Sequence, residues 1–352
     1  MSYFRPIIDQ IEGYQPGYQP REPGFVKLNT NENPYPPSPR ALEAMRAACG
    51  DGLRKYPDPM AENLRQEAAK VYRTLPERIL CGNGSDDLLN IAVRAFCDEG
   101  DIVAFPYPTY DLFGTLATIH GAQPMAVPFP ANYALPAELA STGARLTIVS
   151  NPNSPSATFV PPGELAGLAE ALDGVLLIDE AYVDFSEANC LDFVERYDNV
   201  VVTRTLSKSH SLAGLRVGLA VAQEPLIRGM AKVKDSYNLD ALAIAGGAAA
   251  LADTDWLRQN VEKVKATRER LFDELQLMGF LCWPSEANFI LARVPKGREA
   301  SDLYRRLFER KILVRYFAAP RLDDCLRISV GSDAETDALL TALAEILAGS
   351  RT

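Results

Sequence analysis

Four short runs, residues 102–105, 146–149, 175–178 and 200–203, are apolar or β-branched on both faces and are separated by stretches of helical periodicity. A strand with no polar face must be covered on both sides, as parallel strands joined by crossover helices are. Residues 162–172, with Leu165, Leu168 and Leu172 at helical spacing, have the pattern of one such crossover. The expected class is therefore α/β, built on a mostly parallel sheet.

The chain has 352 residues, 47% of them hydrophobic, enough for two domains rather than one. Residues 1–38 are rich in Pro, Tyr, Gly and Asn, which disfavours helix interiors and central strands, so an extended arm is expected there. Residues 39–245 carry the alternating pattern of the large domain. Residues 246–352 read as a smaller α+β domain: a long charged helix (256–278), strands at 288–292 and 326–330, and a closing helix (334–347) introduced by Ser332 and Asp333.

The formal net charge of −10 opposes binding to nucleic acid, so an anionic ligand must be held by a few placed cations and backbone donors. The six cysteines are scattered without a C-x-x-C pair, and His120 and His210 are the only histidines. That composition offers no metal site and no histidine-based triad, and the cysteines read as reduced core thiols. No leader pattern or membrane-spanning apolar run is present, so a cytoplasmic protein is expected.

In an open parallel sheet, ligands bind beyond the carboxyl ends of the strands. Asn151-Pro152-Asn153-Ser154-Pro155 follows one run, Asp179-Glu180-Ala181-Tyr182 ends the next, and Thr205-Leu206-Ser207-Lys208 follows the third. Pyridoxal phosphate requires such a set. A carboxylate keeps the pyridine nitrogen protonated, a role for Asp179. A phenol or amide near the ring hydroxyl tunes the ring, as Tyr182 could. An amine must attack the aldehyde, and a lysine beside other cations and away from bulk water is activated for it; Lys208 is the candidate.

For the phosphate, Gly82-Asn83-Gly84-Ser85-Asp86 precedes a helix whose apolar face is Leu88, Leu89, Val93 and Phe96. A glycine turn before a helix start presents free N–H groups to an anion, with Arg216 available for a bidentate contact. The Asp86 and Asp87 side chains would repel a dianion, so the backbone must do the binding there. Each feature alone has an ordinary reading: a structural turn, a helix cap, a solvated lysine. Their fall at successive strand ends carries the cofactor reading. Tyr110 reads equally as core or as a ring-stacking aromatic.

Residues 179–185, 203–208 and 213–218 together resemble the histidinol-phosphate aminotransferase family of fold-type I pyridoxal-phosphate enzymes. The likeness extends to residues 28–35, Tyr56-Pro57 and residues 325–331, in the family's order over nearly the whole chain. It implies a homodimer with active sites at the subunit interface. Lys208 matches the lysine that binds the cofactor and carries a proton to and from the substrate, Asp179 the ring-nitrogen partner and Tyr182 the ring-hydroxyl partner. Gly84, Ser85, Asp86, Ser207 and Arg216 match the phosphate cradle, with Thr205 among the cofactor contacts. Tyr110 matches the stacking aromatic, and Tyr56 a tyrosine that reaches the neighbouring subunit's phosphate. Arg327 matches the arginine for the substrate's anionic end, with Arg315 as a second cation and Tyr14, Asn33 and Tyr237 as substrate lining.

The family usually has Asn-Pro-Asn-Asn-Pro-Thr-Gly where this chain has Asn-Pro-Asn-Ser-Pro-Ser-Ala over 151–157, so either Asn153 or Ser154 is left to meet the ring hydroxyl. The activity implied is transamination between histidinol phosphate and 2-oxoglutarate in histidine biosynthesis. A lyase resembling the threonine-phosphate decarboxylases and an aromatic amino-acid aminotransferase are the competing readings. A cofactor-sensing regulator is disfavoured because the segment before Asn29 is too short and Pro-rich for a DNA-binding domain.

Overall fold

The computed structural model describes residues 2–11, 13 and 17–349. The chain opens with α1 (Pro6–Gln10) and β1 (Val26–Lys27), followed by α2 (Pro39–Ala48) and α3 (Glu62–Tyr72). Next come β2 (Ile79–Asn83), α4 (Ser85–Phe96), β3 (Ile102–Tyr107), α5 (Leu112–Ile119), β4 (Gln123–Pro128), β5 (Leu146–Ser150) and α6 (Pro162–Ala171). The same layer continues with β6 (Val175–Asp179), α7 (Phe193–Arg196), β7 (Val200–Thr205), β8 (Val217–Ala222), α8 (Glu224–Ala231) and α9 (Ala241–Ala252). The last third holds α10 (Thr254–Leu277), β9 (Leu281–Cys282), β10 (Phe289–Arg293), α11 (Ala300–Glu309), β11 (Ile312–Leu313), β12 (Arg315–Tyr316), β13 (Cys325–Ser329) and α12 (Asp333–Ala348).

Seven strands form the large sheet in the order β2-β8-β7-β6-β5-β3-β4. All neighbours are parallel except those of β8, which runs antiparallel to β2 and β7. Alternation along each strand sends side chains to two cores. Val200 and Val202 join Leu64, Leu165 and Ala243 of α3, α6 and α9 on one face. Val201 joins Leu88, Phe113 and Ile227 of α4, α5 and α8 on the other. This double covering is what the four apolar runs require. Full burial of each such aliphatic side chain contributes about 1.5–3 kcal/mol.

The smaller sheet, β12-β13-β10-β9, packs with α10, α11 and α12 around a third core that includes Ile290, Leu326, Leu275 and Leu343. Helix α12 starts with a capping box, the Ser332 hydroxyl receiving the Glu335 N–H while the Glu335 carboxylate receives the Ser332 N–H. Three details add to the sequence pattern. Residues 6–10 of the arm are helical, and Arg5 Nη2 donates to the Ile119 carbonyl at 2.6 Å. Further along, β1 pairs parallel with β11 and Leu28 is buried in the third core, so the arm is a structural part of the small-sheet unit. Finally, α9 runs unbroken through residue 245, because its Ala-rich surface packs against α2 and α3. No helix among the described residues is long and apolar enough to cross a membrane.

Candidate active site

The carboxyl ends of β5, β6 and β7 lie in register, with Ser150 opposite Asp179 and Asp179 opposite Thr203. A cavity of about 220 Å³ opens beyond them, with Asp179, Tyr182 and Lys208 on its wall. Asp179 is 4% exposed, and Thr203 Oγ1 donates to its Oδ1 at 2.9 Å. Burial pushes its pKa up to about 7; Asp86 and Glu180 add to the rise, while the Thr203 hydrogen bond and the Lys208 charge oppose it. Among the described residues no cation forms an ion pair with this carboxylate.

Lys208 Nζ lies 5.6 Å from the Tyr182 ring centre. The turn that carries it is tied on both sides. Asn33 Nδ2 donates to the carbonyls of Lys208 and Ser209, each at 3.1 Å. Ser209 Oγ donates to Asp184, which pairs with Arg204 at 3.3 Å, and Arg204 meets the buried Glu180 at 2.7 Å. A buried ion pair of this kind fixes geometry more than it adds stability. Burial also lowers the pKa of the neighbouring His210, against the pull of Asp184.

At the other end of the cavity, Gly84 (φ +81°) turns the chain from β2 into α4. A Cβ on Gly84 would lie 2.4 Å from Arg216 Nη2, and one on Gly218 would lie 2.5 Å from the Gly84 carbonyl carbon. Backbone leaves no room for a side chain at Gly218, the positive φ of Gly84 favours glycine, and the packing brings Arg216 onto the start of α4, where free N–H groups and the helix dipole favour an anion. Asp86 pairs with Arg216 Nη2 at 3.5 Å and receives Tyr110 Oη at 3.3 Å. Asp87 is turned back onto the Asn83 N–H at 2.9 Å and Asn238 Nδ2 at 3.0 Å, away from the anion position. Thr205 Oγ1 and Ser207 Oγ are 2.9 Å apart on the same wall.

The facing wall comes from the small sheet. Arg315 on β12 is the direct cross-strand partner of Arg327 on β13. Like charges placed opposite one another are unfavourable, and an anion between them relieves the repulsion. The Arg327 guanidinium lies 5.4 Å from the Phe289 ring centre and 5.5 Å from that of Phe317, with Nη1 donating to Ser154 Oγ at 3.3 Å and Nη2 to the Asn29 carbonyl at 2.9 Å. Asp111 lines the cavity too; burial raises its pKa against the pull of Arg315 and Arg327. So does Glu32, where burial pushes the pKa up but hydrogen bonds from Lys27 and Thr30 and the Lys27 and Lys208 charges bring it below the usual value.

The structure thus brings Ser85, Asp86, Tyr110, Ser154, Asp179, Tyr182, Thr205, Ser207, Lys208, Arg216, Arg315 and Arg327 to one cavity. Gly84 stands behind the wall as the turn itself. Asn153 points elsewhere: its carbonyl receives Thr109 Oγ1 at 2.7 Å and its amide donates to the Pro108 carbonyl and Ser156 Oγ. Ser154, not Asn153, reaches the cavity. Asn33 acts on the Lys208 turn rather than on the cavity surface. Tyr56 and Tyr237 stack on each other at 4.4 Å on the surface, 80% and 46% exposed. Tyr14 lies outside the described residues. Glu32, Asp111 and Phe317 are wall residues that no local pattern marks.

Pyridoxal 5′-phosphate fits this residue set. Among the described residues the buried Asp179 carboxylate has no ion-pair partner, a place a protonated pyridine nitrogen would fill, and Arg216 packed on the Gly84 turn at the start of α4 would receive a phosphate. The family model of the class I and II aminotransferases matches residues 23–343. The chain belongs to that family. Its members are pyridoxal-phosphate enzymes that transfer amino groups. A histidinol-phosphate aminotransferase of Trichormus variabilis is 46% identical over 98% of this chain and 99% of its own length. One of Geotalea daltonii is 44% identical over 98% of this chain and 100% of its own. Among solved structures, the histidinol-phosphate aminotransferase of Sinorhizobium meliloti in complex with pyridoxal 5′-phosphate superposes with a TM-score of 0.90 at 29% identity, covering 99% of this chain and 98% of the other.

Proposed function

We propose that this aminotransferase moves the amino group of histidinol phosphate to 2-oxoglutarate, with pyridoxal phosphate seated between Asp179 and the start of α4. The observation that carries the reading is the cross-strand pair Arg315 and Arg327, facing the same cavity as Lys208 and Asp179. Two guanidiniums suit a dianionic phosphate on one substrate and a carboxylate on the other. The names of the relatives that are 44–47% identical support the same choice.

Bound there, pyridoxal phosphate supplies an electron-accepting ring conjugated to the substrate's Cα. Asp179 would hold the proton on the ring nitrogen. Tyr182 and Ser154 would meet the ring hydroxyl, and Tyr110 would stack on the ring. Lys208 Nζ would hold the cofactor and, when free, would be the amine that takes and returns the substrate's Cα proton. Arg315 and Arg327 hold the anionic end and so point the Cα–H bond at that amine. Arg216, Ser85, Ser207 and the α4 N–H groups would anchor the cofactor phosphate. The exposed Tyr56–Tyr237 stack supports a homodimer in which Tyr56 completes the partner's phosphate site.

The test is an amino-donor panel of histidinol phosphate, glutamate, phenylalanine and tyrosine, read by the change in absorbance of the bound cofactor. Histidinol phosphate and glutamate are expected to react fastest. A fast response to phenylalanine with none to histidinol phosphate would establish the aromatic reading instead, and CO2 release without consumption of 2-oxoglutarate would establish a lyase.

A further inference from the structure

Tyr182 is hydrogen-bonded by a residue outside the cofactor set. Asn31 Nδ2 donates to Tyr182 Oη at 3.1 Å. Asn31 is 1% exposed and sits at φ 56°, a left-handed conformation that asparagine tolerates better than most residues. Its backbone is held at both polar groups: the N–H donates to Ser329 Oγ at 2.9 Å, and the carbonyl receives Asn288 Nδ2 at 2.9 Å.

The direction of the side-chain bonds follows from these contacts. Ser329 Oγ accepts the Asn31 N–H and donates its own hydrogen to Asn31 Oδ1, 2.9 Å away. With the amide oxygen receiving Ser329, the NH2 faces Tyr182. The phenol oxygen accepts from that NH2, and among the described residues it makes no other hydrogen bond. Its proton is left to point into the cavity.

We infer that Asn31 is a positioning residue, and that the Ser329–Asn31–Tyr182 relay sets the phenol as a hydrogen-bond donor toward the cofactor's ring oxygen. The inference rests on the function proposed above. A donor at that oxygen favours its ionised form and lowers the pH at which the conjugated chromophore loses its proton. Ser329 and Arg327 are alternate residues of β13 and share one face, so the strand that carries the substrate arginine also anchors the relay.

The test compares holoenzymes of the native chain, Asn31→Asp, Asn31→Ala and Ser329→Ala by pH titration of the bound-cofactor absorbance, with circular dichroism as the folding control. In Asn31→Asp the carboxylate accepts the phenol proton, reversing the relay, and the titration midpoint is expected to rise by about one pH unit. Asn31→Ala and Ser329→Ala leave the phenol undirected and should raise it by less. An unchanged midpoint in folded Asn31→Asp overturns the inference; if that variant does not fold, an unchanged midpoint in Ser329→Ala does so. A native chain that forms no visible chromophore with added pyridoxal phosphate refutes the underlying reading, and the relay with it. A normal native chromophore with unmoved variants refutes the relay alone.

Discussion

Asp179→Asn separates the cost of burying a carboxylate from its use. In the unfolded chain Asp179 ionises near 3.8, whereas burial in the cofactor-free protein brings it to about 7. Between those values the folded state holds a proton that the unfolded state has released. Stability is therefore fully present below about pH 4 and is lost as pH rises through about 7. A rise of about three pH units at about 1.4 kcal/mol each amounts to roughly 4 kcal/mol. Asparagine keeps an oxygen for Thr203 Oγ1 but has no charge to bury. Cofactor-free Asp179→Asn should thus equal the native chain near pH 4 and exceed it by a few kcal/mol at about pH 8 in denaturant melts. The same variant should bind pyridoxal phosphate weakly and lose most amino transfer, because the ring nitrogen has lost its anion. A cofactor-free variant that is no more stable than the native chain at about pH 8, or one that keeps full activity, would refute the reasoning.

Arg327→Ala should lower kcat/KM for histidinol phosphate by roughly 10- to 150-fold, the loss of hydrogen bonds to a charged group, with cofactor absorbance intact; an unchanged kcat/KM places the anion elsewhere. Arg204→Met leaves Glu180 and Asp184 without their cation and should cost about 3–5 kcal/mol in a denaturant melt, whereas an unmoved midpoint would show that the network is dispensable. If Tyr56 completes the partner's site, Lys208→Ala and Tyr56→Ala subunits, each nearly inactive alone, should recover activity when mixed and allowed to exchange. No recovery on exchange argues for self-sufficient subunits.

The four apolar runs were sufficient to anticipate β3, β5, β6 and β7, because a strand buried on both faces leaves a local signature. By contrast, β2, β4 and β8 are interrupted by Gly82, Pro124 and Gly218, which read locally as turns. One of these residues serves the site: Gly218 passes beneath the Gly84 turn so closely that no side chain fits. Asp179, Tyr182 and Lys208 were legible because strand-end position is itself a local property. The Arg315–Arg327 pairing, the approach of Asn31 to Tyr182 and the inclusion of Asp111 depend on contacts between residues far apart in the chain, which no spacing encodes. Asn153 and Ser154 could not be ranked for a related reason. Thr109, Pro108 and Ser156, distant or unmarked in the sequence pattern, occupy the Asn153 amide, and Ser154 lines the cavity.

Borohydride reduction of the holoenzyme, followed by peptide mapping in a mass spectrometer, tests the central claim most directly. The reduced cofactor is expected on the peptide containing Thr205-Leu206-Ser207-Lys208, attached at Lys208 and absent after Lys208→Ala. Attachment at any other lysine, or none, would contradict it.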